Sequence, residues 1–260
     1  MQSLSWQDSE VTEALQHIRH HKPFCYGLTN YIAANLSANV LLAVGAGPAI
    51  GATLDWQTAF GSHANAVWIN TACLMSNTPH EVRQAAQAAR RAGVPWVLDP
   101  VAVGAGAAEY DQVVRGLLEF KPTAIRGNAS ELIALAGGIG GGKGVEATLD
   151  SSEALPFIAE FSRSQGTITA VSGPVDFITD GVRTISVTGG DPRLTQVTGA
   201  GCSLGALTAA FLSTPLAPVI AVAAAHVLYA EASQRAASAR GTGSFAARFL
   251  DELSLLGEVE

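Results

Sequence analysis

Thr198, Gly199, Ala200, Gly201 and Cys202 stand directly before the apolar run SLGALTAAFL. Two glycines let the backbone turn tightly and aim successive N–H groups outward. A helix starting there adds unpaired amides and a partial positive charge of about half a unit, so the segment reads as an anion cradle. An ordinary glycine-rich turn before a helix has the same letters. The GxGxxxG spacing of Gly199, Gly201 and Gly205 also matches an NADP-type turn, but no well-placed strand and ribose-binding acid frame it. Cys202 lies at the mouth of the cradle, where a helix N-terminus is expected to lower a thiol pKa. That position marks it for chemistry over packing.

Two further segments offer charge. Arg126-Gly127-Asn128-Ala129-Ser130-Glu131 follows an apolar strand pattern. Asn128 and Glu131, three apart at a helix start, share a face. The carboxylate can hold a hydrated divalent cation, Asn128 can orient water or a phosphate oxygen, and Arg126 can pair with phosphate. The competing reading is a capping box, with Asn128 as N-cap and Glu131 as its partner. Asp99 ends the apolar stretch WVLD before Pro100, and either serves magnesium or caps its loop. Gly137 to Lys143 (GGIGGGK) approaches the phosphate-binding loop pattern, but residue 144 is Gly, so the metal-binding hydroxyl is missing. That segment reads instead as a mobile glycine loop able to lie over a nucleotide.

The elements that must position these groups alternate. Helices are expected over 10–21, 30–44, 80–92, 107–120, 129–136 and 152–164, and strands over 24–28, 67–70, 96–99, 123–127 and 168–173. Residues 177–180 and 183–189 read as a hairpin, and the last third as helices over 202–213, 218–238 and 244–255. Short, uniformly apolar strands separated by helices predict a mainly parallel sheet covered by helices on both faces. With no linker, charge block or repeat, one α/β domain over 1–260 is the simplest account. In such sheets ligands bind outside the C-terminal ends of strands.

Composition narrows the function class. The chain of 260 residues carries 15 Lys and Arg against 22 Asp and Glu, a net charge of −7, with 48% apolar and 14% charged residues. So apolar a chain has a large core and is not disordered. Its acidity gives no general attraction to nucleic acid or an anionic membrane, and no basic–aromatic platform appears. Cys25, Cys73 and Cys202 form neither a disulfide framework nor a zinc pair, and the N-terminus lacks a signal-peptide pattern, so a cytoplasmic location is expected. Leu194 to Ala230 holds no Asp, Glu, Lys or Arg, but Pro215 and Pro218 divide it. Two buried helices explain it better than a membrane span.

An anion cradle plus an NxxE acid, without a P-loop, resembles the ribokinase-like superfamily. Within it, LDPVAVGA, AIRGNASELIALAG, GGKGVEAT and GGDPRLTQVTGAGC resemble the hydroxyethylthiazole kinase family, as do Thr29-Asn30, ANVLLAVGAGPAI and the GSF before FLDEL. The resemblance runs from about Tyr26 to Leu250. It implies phosphoryl transfer from ATP, with Mg2+, to the primary hydroxyl of 4-methyl-5-(2-hydroxyethyl)thiazole in thiamine salvage, and a homotrimer with sites at subunit interfaces. It also implies that Gly199 and Ile50 contact the thiazole, with Asn30 a further substrate-site candidate. Arg126 and Ser172 would contact ATP, Asp99 and Glu131 would serve magnesium, and Cys202 would lie beside the reacting hydroxyl. Ile50 stands where the family usually has Met, and Ser172 where it commonly has Thr. The alternatives are a ribokinase-like kinase for another small heterocyclic alcohol, or a non-catalytic paralogue that binds thiazole or nucleotide.

Overall fold

The computed structural model describes residues 1–137 and 150–257. The glycine loop expected to lie over a nucleotide falls, past Gly137, outside the described residues.

Among the described residues nine strands form one sheet: β1 (Gln2–Ser3), β2 (Phe24–Leu28), β3 (Gly47–Ile50), β4 (Ala66–Asn70), β5 (Trp96–Asp99), β6 (Ala124–Asn128), β7 (Ile168–Ser172), β8 (Val175–Thr179) and β9 (Thr184–Thr188). Their order is β1-β9-β8-β7-β6-β5-β4-β2-β3. All neighbours pair in parallel except β7–β8 and β8–β9, the antiparallel hairpin. The mainly parallel α/β architecture expected from the alternating pattern is therefore the one observed.

Side-chain alternation sorts the strands onto two cores. Cys25, Trp68, Val97 and Ala124 face a core shared with α1 (Ser9–His21), α2 (Ala34–Ala43), α8 (Ala200–Leu212), α9 (Pro218–Arg235) and α10 (Thr242–Leu255). Tyr26, Val67, Ile69, Trp96, Leu98 and Ile125 face the other, covered by α3 (Trp56–His63), α4 (Pro79–Ala92), α5 (Ala108–Gly116), α6 (Ala129–Leu135) and α7 (Ser151–Gln165). Both faces are covered, so the strands are apolar on both sides.

Local signals explain several helix boundaries. Helix α4 begins with a Thr78–Glu81 capping box and Pro79 in its first turn, and it stops at Gly93, whose φ of 70° is left-handed. The uncharged 194–230 stretch becomes α8 and α9, with a turn at the prolines, as expected. Helix α8 is buried on nearly every side. Among the described residues no helix is long and apolar enough to cross a membrane.

Several expected boundaries move. The helix expected over 30–44 starts at Ala34, because Asn30 and the turn after it cap its first residues from outside: Asn30 Oδ1 accepts the Ala33 N–H at 2.7 Å. Strands β1 and β3 and helix α3 carry too little periodicity to be read in advance. Strand β3 (Gly47–Ile50) has no alternating pattern and lies at the sheet edge, while β1 is two residues long. The helix expected over 107–120 tightens into a 3-10 turn after Gly116.

Candidate active site

The parallel register carries the site. Asn70 at the end of β4 pairs with Asp99 at the end of β5, and Asn128 at the end of β6 pairs with Ser172 at the end of β7. One edge of the sheet thus holds Asn70, Asp99, Arg126, Asn128 and Ser172, the edge where crossover topology leaves room for a ligand.

Arg126 is the hub. It is only 6% exposed. Nη1 donates to Asp99 Oδ2 at 3.0 Å and to the Gly201 carbonyl at 2.6 Å, and Nη2 donates to Ser172 Oγ at 2.8 Å. One guanidinium therefore ties three strand ends to the first turn of α8. Its fixed planar fork suits this use better than a flexible ammonium would. Asp99 is 2% exposed and also accepts from Asn70 Nδ2 at 3.2 Å. Burial pushes its carboxyl up to about 6; Arg126 opposes that shift, and Glu131 adds to it.

Gly199 opens α8 with φ of 86°, a conformation L side chains rarely adopt. A Cβ there would lie 3.2 Å from Ala33 Cα. The turn thus abuts the start of α2, next to Asn30. The Ala200 N–H bonds back to the Val197 carbonyl, and the Ser203 N–H to the Gly199 carbonyl. The N–H groups of Gly201 and Cys202 are left as the outward donors, since first-turn amides have no intrahelical acceptor. The cradle is therefore narrower than the sequence suggested, and Ala200 contributes its carbonyl instead, which accepts from Tyr229 Oη at 2.6 Å.

Cys202 is half-buried beside this constellation. Its thiol pKa lies above the ordinary value, the reverse of the expected lowering. Burial is the main cause and the neighbouring Asp99 the second, while Asn70 and Arg126 favour the thiolate. The helix terminus is outweighed here by desolvation and a nearby carboxylate.

Glu131 forms the capping box with Asn128: Asn128 N–H donates to Glu131 Oε2 and Glu131 N–H to Asn128 Oδ1, both at 2.9 Å. Oε1 accepts the Ala102 N–H at 2.9 Å, joining the β5 loop to α6. The cap is real, and it does not exhaust the carboxylate, because each oxygen keeps a second lone pair. Among the described residues no group of three or more His, Cys, Asp or Glu is arranged to hold a metal ion. Asp99 and Glu131 are nonetheless close enough for Glu131 to raise the Asp99 pKa. Two mutually repelling carboxylates suit a hydrated cation that arrives with a polyphosphate, which is how Mg2+ commonly binds.

Beside the cradle opens a cavity of about 600 Å³, whose lining includes Arg126, Ser172, Val187, Gly201, Leu204 and Tyr229. That volume is within the range of small-molecule sites. On the other side of the turn Gly199 lies against Ala33 and Leu36 of α2 and its entrance, after Asn30, while Ile50 ends β3 beside β2. Three participants escaped the sequence reading. Asn70 ends a short strand just as Asp99 does, which was the available clue. Asp176 and His226 are bonded to each other at 2.7 Å in the cavity wall, and His226 is the one histidine in the uncharged 194–230 stretch.

The model of the hydroxyethylthiazole kinase family matches residues 15–258. The chain belongs to that family. A hydroxyethylthiazole kinase of Burkholderia pseudomallei is 61% identical over 260 residues, covering 100% of this chain and 94% of its own. The solved hydroxyethylthiazole kinase of Pyrococcus horikoshii superposes with a TM-score of 0.86 at 32% identity, covering 96% of this chain and 95% of its own. A ribokinase-like superfamily protein of Enterococcus faecalis shares the fold with a TM-score of 0.66 at 12% identity, covering 97% and 95%.

Proposed function

We propose that the chain transfers the terminal phosphoryl group of ATP to the primary hydroxyl of 4-methyl-5-(2-hydroxyethyl)thiazole, a salvage step of thiamine biosynthesis. The observation that carries this reading is the position of the cradle. Gly199 abuts the Asn30–Ala33 turn on one side, and Gly201 lines the 600 Å³ cavity on the other. An acceptor alcohol held by Asn30, Ile50 and Gly199 and a nucleotide held beside Arg126, Ser172 and Asn128 would thus meet at the same amides.

The chemistry asks more for positioning and charge neutralisation than for covalent participation. The Gly201 and Cys202 N–H groups stabilise the equatorial oxygens of the moving phosphoryl group. Arg126 holds the cradle against the strand ends and offsets polyphosphate charge. Asp99 and Glu131 would hold the magnesium that accompanies ATP, which when bound would supply charge neutralisation of the phosphates. Cys202 takes the hydroxyl proton. A thiol that keeps its proton cannot accept another, so only the thiolate of Cys202 can act; its raised pKa keeps that fraction small, and proton transfer belongs late in the step, when the attacking oxygen has become acidic.

The whole chain acts as one catalytic domain, since β1 to β9 share one sheet. The assembly is a homotrimer, with further copies covering the substrate edge. Tyr31, Ile32, Leu54 and Met75 are large, apolar and exposed in the connections after β2, β3 and β4. Use of ATP and three free cysteines fit the cytoplasm. The test is direct: purified protein, ATP, magnesium and the thiazole alcohol are incubated and followed by mass spectrometry. Phosphorylated thiazole is expected, and its absence overturns the assignment.

A further inference from the structure

We infer that His226 reads the base of the bound nucleotide, accepting a hydrogen bond from the exocyclic amino group of adenine; the inference rests on the cavity beside the cradle being the nucleotide site. His226 lies on α9, is 1% exposed and lines that cavity. Its Nδ1 is 2.7 Å from Asp176 Oδ2. A carboxylate only accepts, so the hydrogen between them sits on Nδ1; in a neutral imidazole with that tautomer, Nε2 carries the lone pair. Nε2 is buried without a hydrogen-bond partner. Buried polar atoms are nearly always satisfied, so an orphan in a cavity wall points to a donor that the ligand supplies.

The surroundings select the kind of ligand. Asp176 is itself immobilised, because its Oδ1 accepts the Gly173 N–H at 2.8 Å. Gly173 follows Ser172, which bonds to Arg126. The tautomer of His226 is thus set by the turn that flanks the expected phosphate contacts. Val187, Leu194, Leu204, Tyr229 and Ala230 make the wall beside it mostly apolar. A flat ring carrying one donor edge suits this wall. A guanine ring presents a carbonyl oxygen at the corresponding position, and that oxygen would face the Nε2 lone pair.

The experiment measures binding of ATP, GTP and the purine ribonucleoside triphosphate lacking the amino group. Isothermal calorimetry is done on the intact enzyme and on His226→Leu, with thiazole phosphorylation assayed in parallel. Wild type is expected to bind ATP about tenfold more tightly than either analogue, the value of one well-formed hydrogen bond. His226→Leu is expected to bind ATP and the amino-free analogue equally. The wild-type series decides the matter even if the variant fails to fold, because the change is then made in the ligand. Equal binding of all three by wild type, tightest binding of GTP, or an undiminished ATP preference in His226→Leu overturns the inference. If thiazole is still phosphorylated in those cases, the kinase reading stands without it. No binding of any nucleotide overturns both.

Discussion

Cys202 shows how little a residue type says without its surroundings. At a helix start a thiol is expected to ionise easily, yet burial and Asp99 hold it protonated. In the proposed mechanism the amides of its own turn act on the phosphoryl group whatever side chain occupies position 202, so Cys202 acts, through its small thiolate fraction, on the hydroxyl proton alone. General-base assistance is worth about 10²–10⁴-fold, and a late transfer places Cys202 at or below the low end. Cys202→Ala should lower kcat by about 10²-fold or less, leaving measurable activity and little change in ATP binding. Cys202→Asp should retain or raise activity, since a carboxylate can accept the same proton. Steady-state kinetics at saturating magnesium compare them. An Ala variant equal to wild type makes the thiol a packing residue, and a dead Asp variant beside an active Ala one removes the base role.

Capping and turning decide the next scale. In α6, Glu131 is both cap and candidate magnesium group, and one substitution separates the two. Gln is accepted at the third position of a capping box. Glu131→Gln keeps the Asn128 cap but loses the acceptor of the Ala102 N–H, so it should cost about 1 kcal/mol of stability, lower kcat and raise the magnesium needed for half-maximal rate. Identical kinetics at every magnesium concentration would leave Glu131 as a cap only. The turn before α8 depends on Gly199. Alanine there meets both a left-handed backbone and Ala33 Cα at 3.2 Å. Gly199→Ala should cost about 1–3 kcal/mol of stability from backbone strain. It should also raise the thiazole KM more than the ATP KM, because the displaced neighbour is the α2 entrance. Denaturant melts and a two-substrate kinetic analysis measure both, and equal effects on the two KM values would contradict the proposed division of the site.

At the scale of the whole molecule, the proposed homotrimer would cover apolar side chains at one end of the sheet. Tyr31, Ile32, Leu54 and Met75 are exposed on the connections that follow the C-terminal ends of β2, β3 and β4, three neighbouring parallel strands. Large apolar side chains grouped at the surface mark an interface. Light scattering coupled to size exclusion should give three times the chain mass. Leu54→Asp, at a residue 91% exposed, should weaken assembly while leaving the fold of a single chain intact by circular dichroism. A stable, fully active monomer would remove the interface from the mechanism.

The local signals in the sequence were sufficient for the alternation of α4, β5, α6 and β7, for the buried pair α8 and α9, and for the turn at Gly199. Each depends on residues within about one turn or one strand of each other, through periodicity, caps and glycine. The motif blocks also sufficed for the family. Strand β3 and helix α3 were not legible, because edge position and short length leave weak periodicity and only tertiary pairing defines them. The partners of Arg126 were not legible either: Asp99, Ser172 and Gly201 lie 27, 46 and 75 residues away and meet it only through strand register and the packing of α8. For the same reason the direction of the Cys202 pKa was decided by the fold, since Asp99 reaches it from another strand. The Asp176–His226 pair, 50 residues apart, exists only because α9 packs across β8.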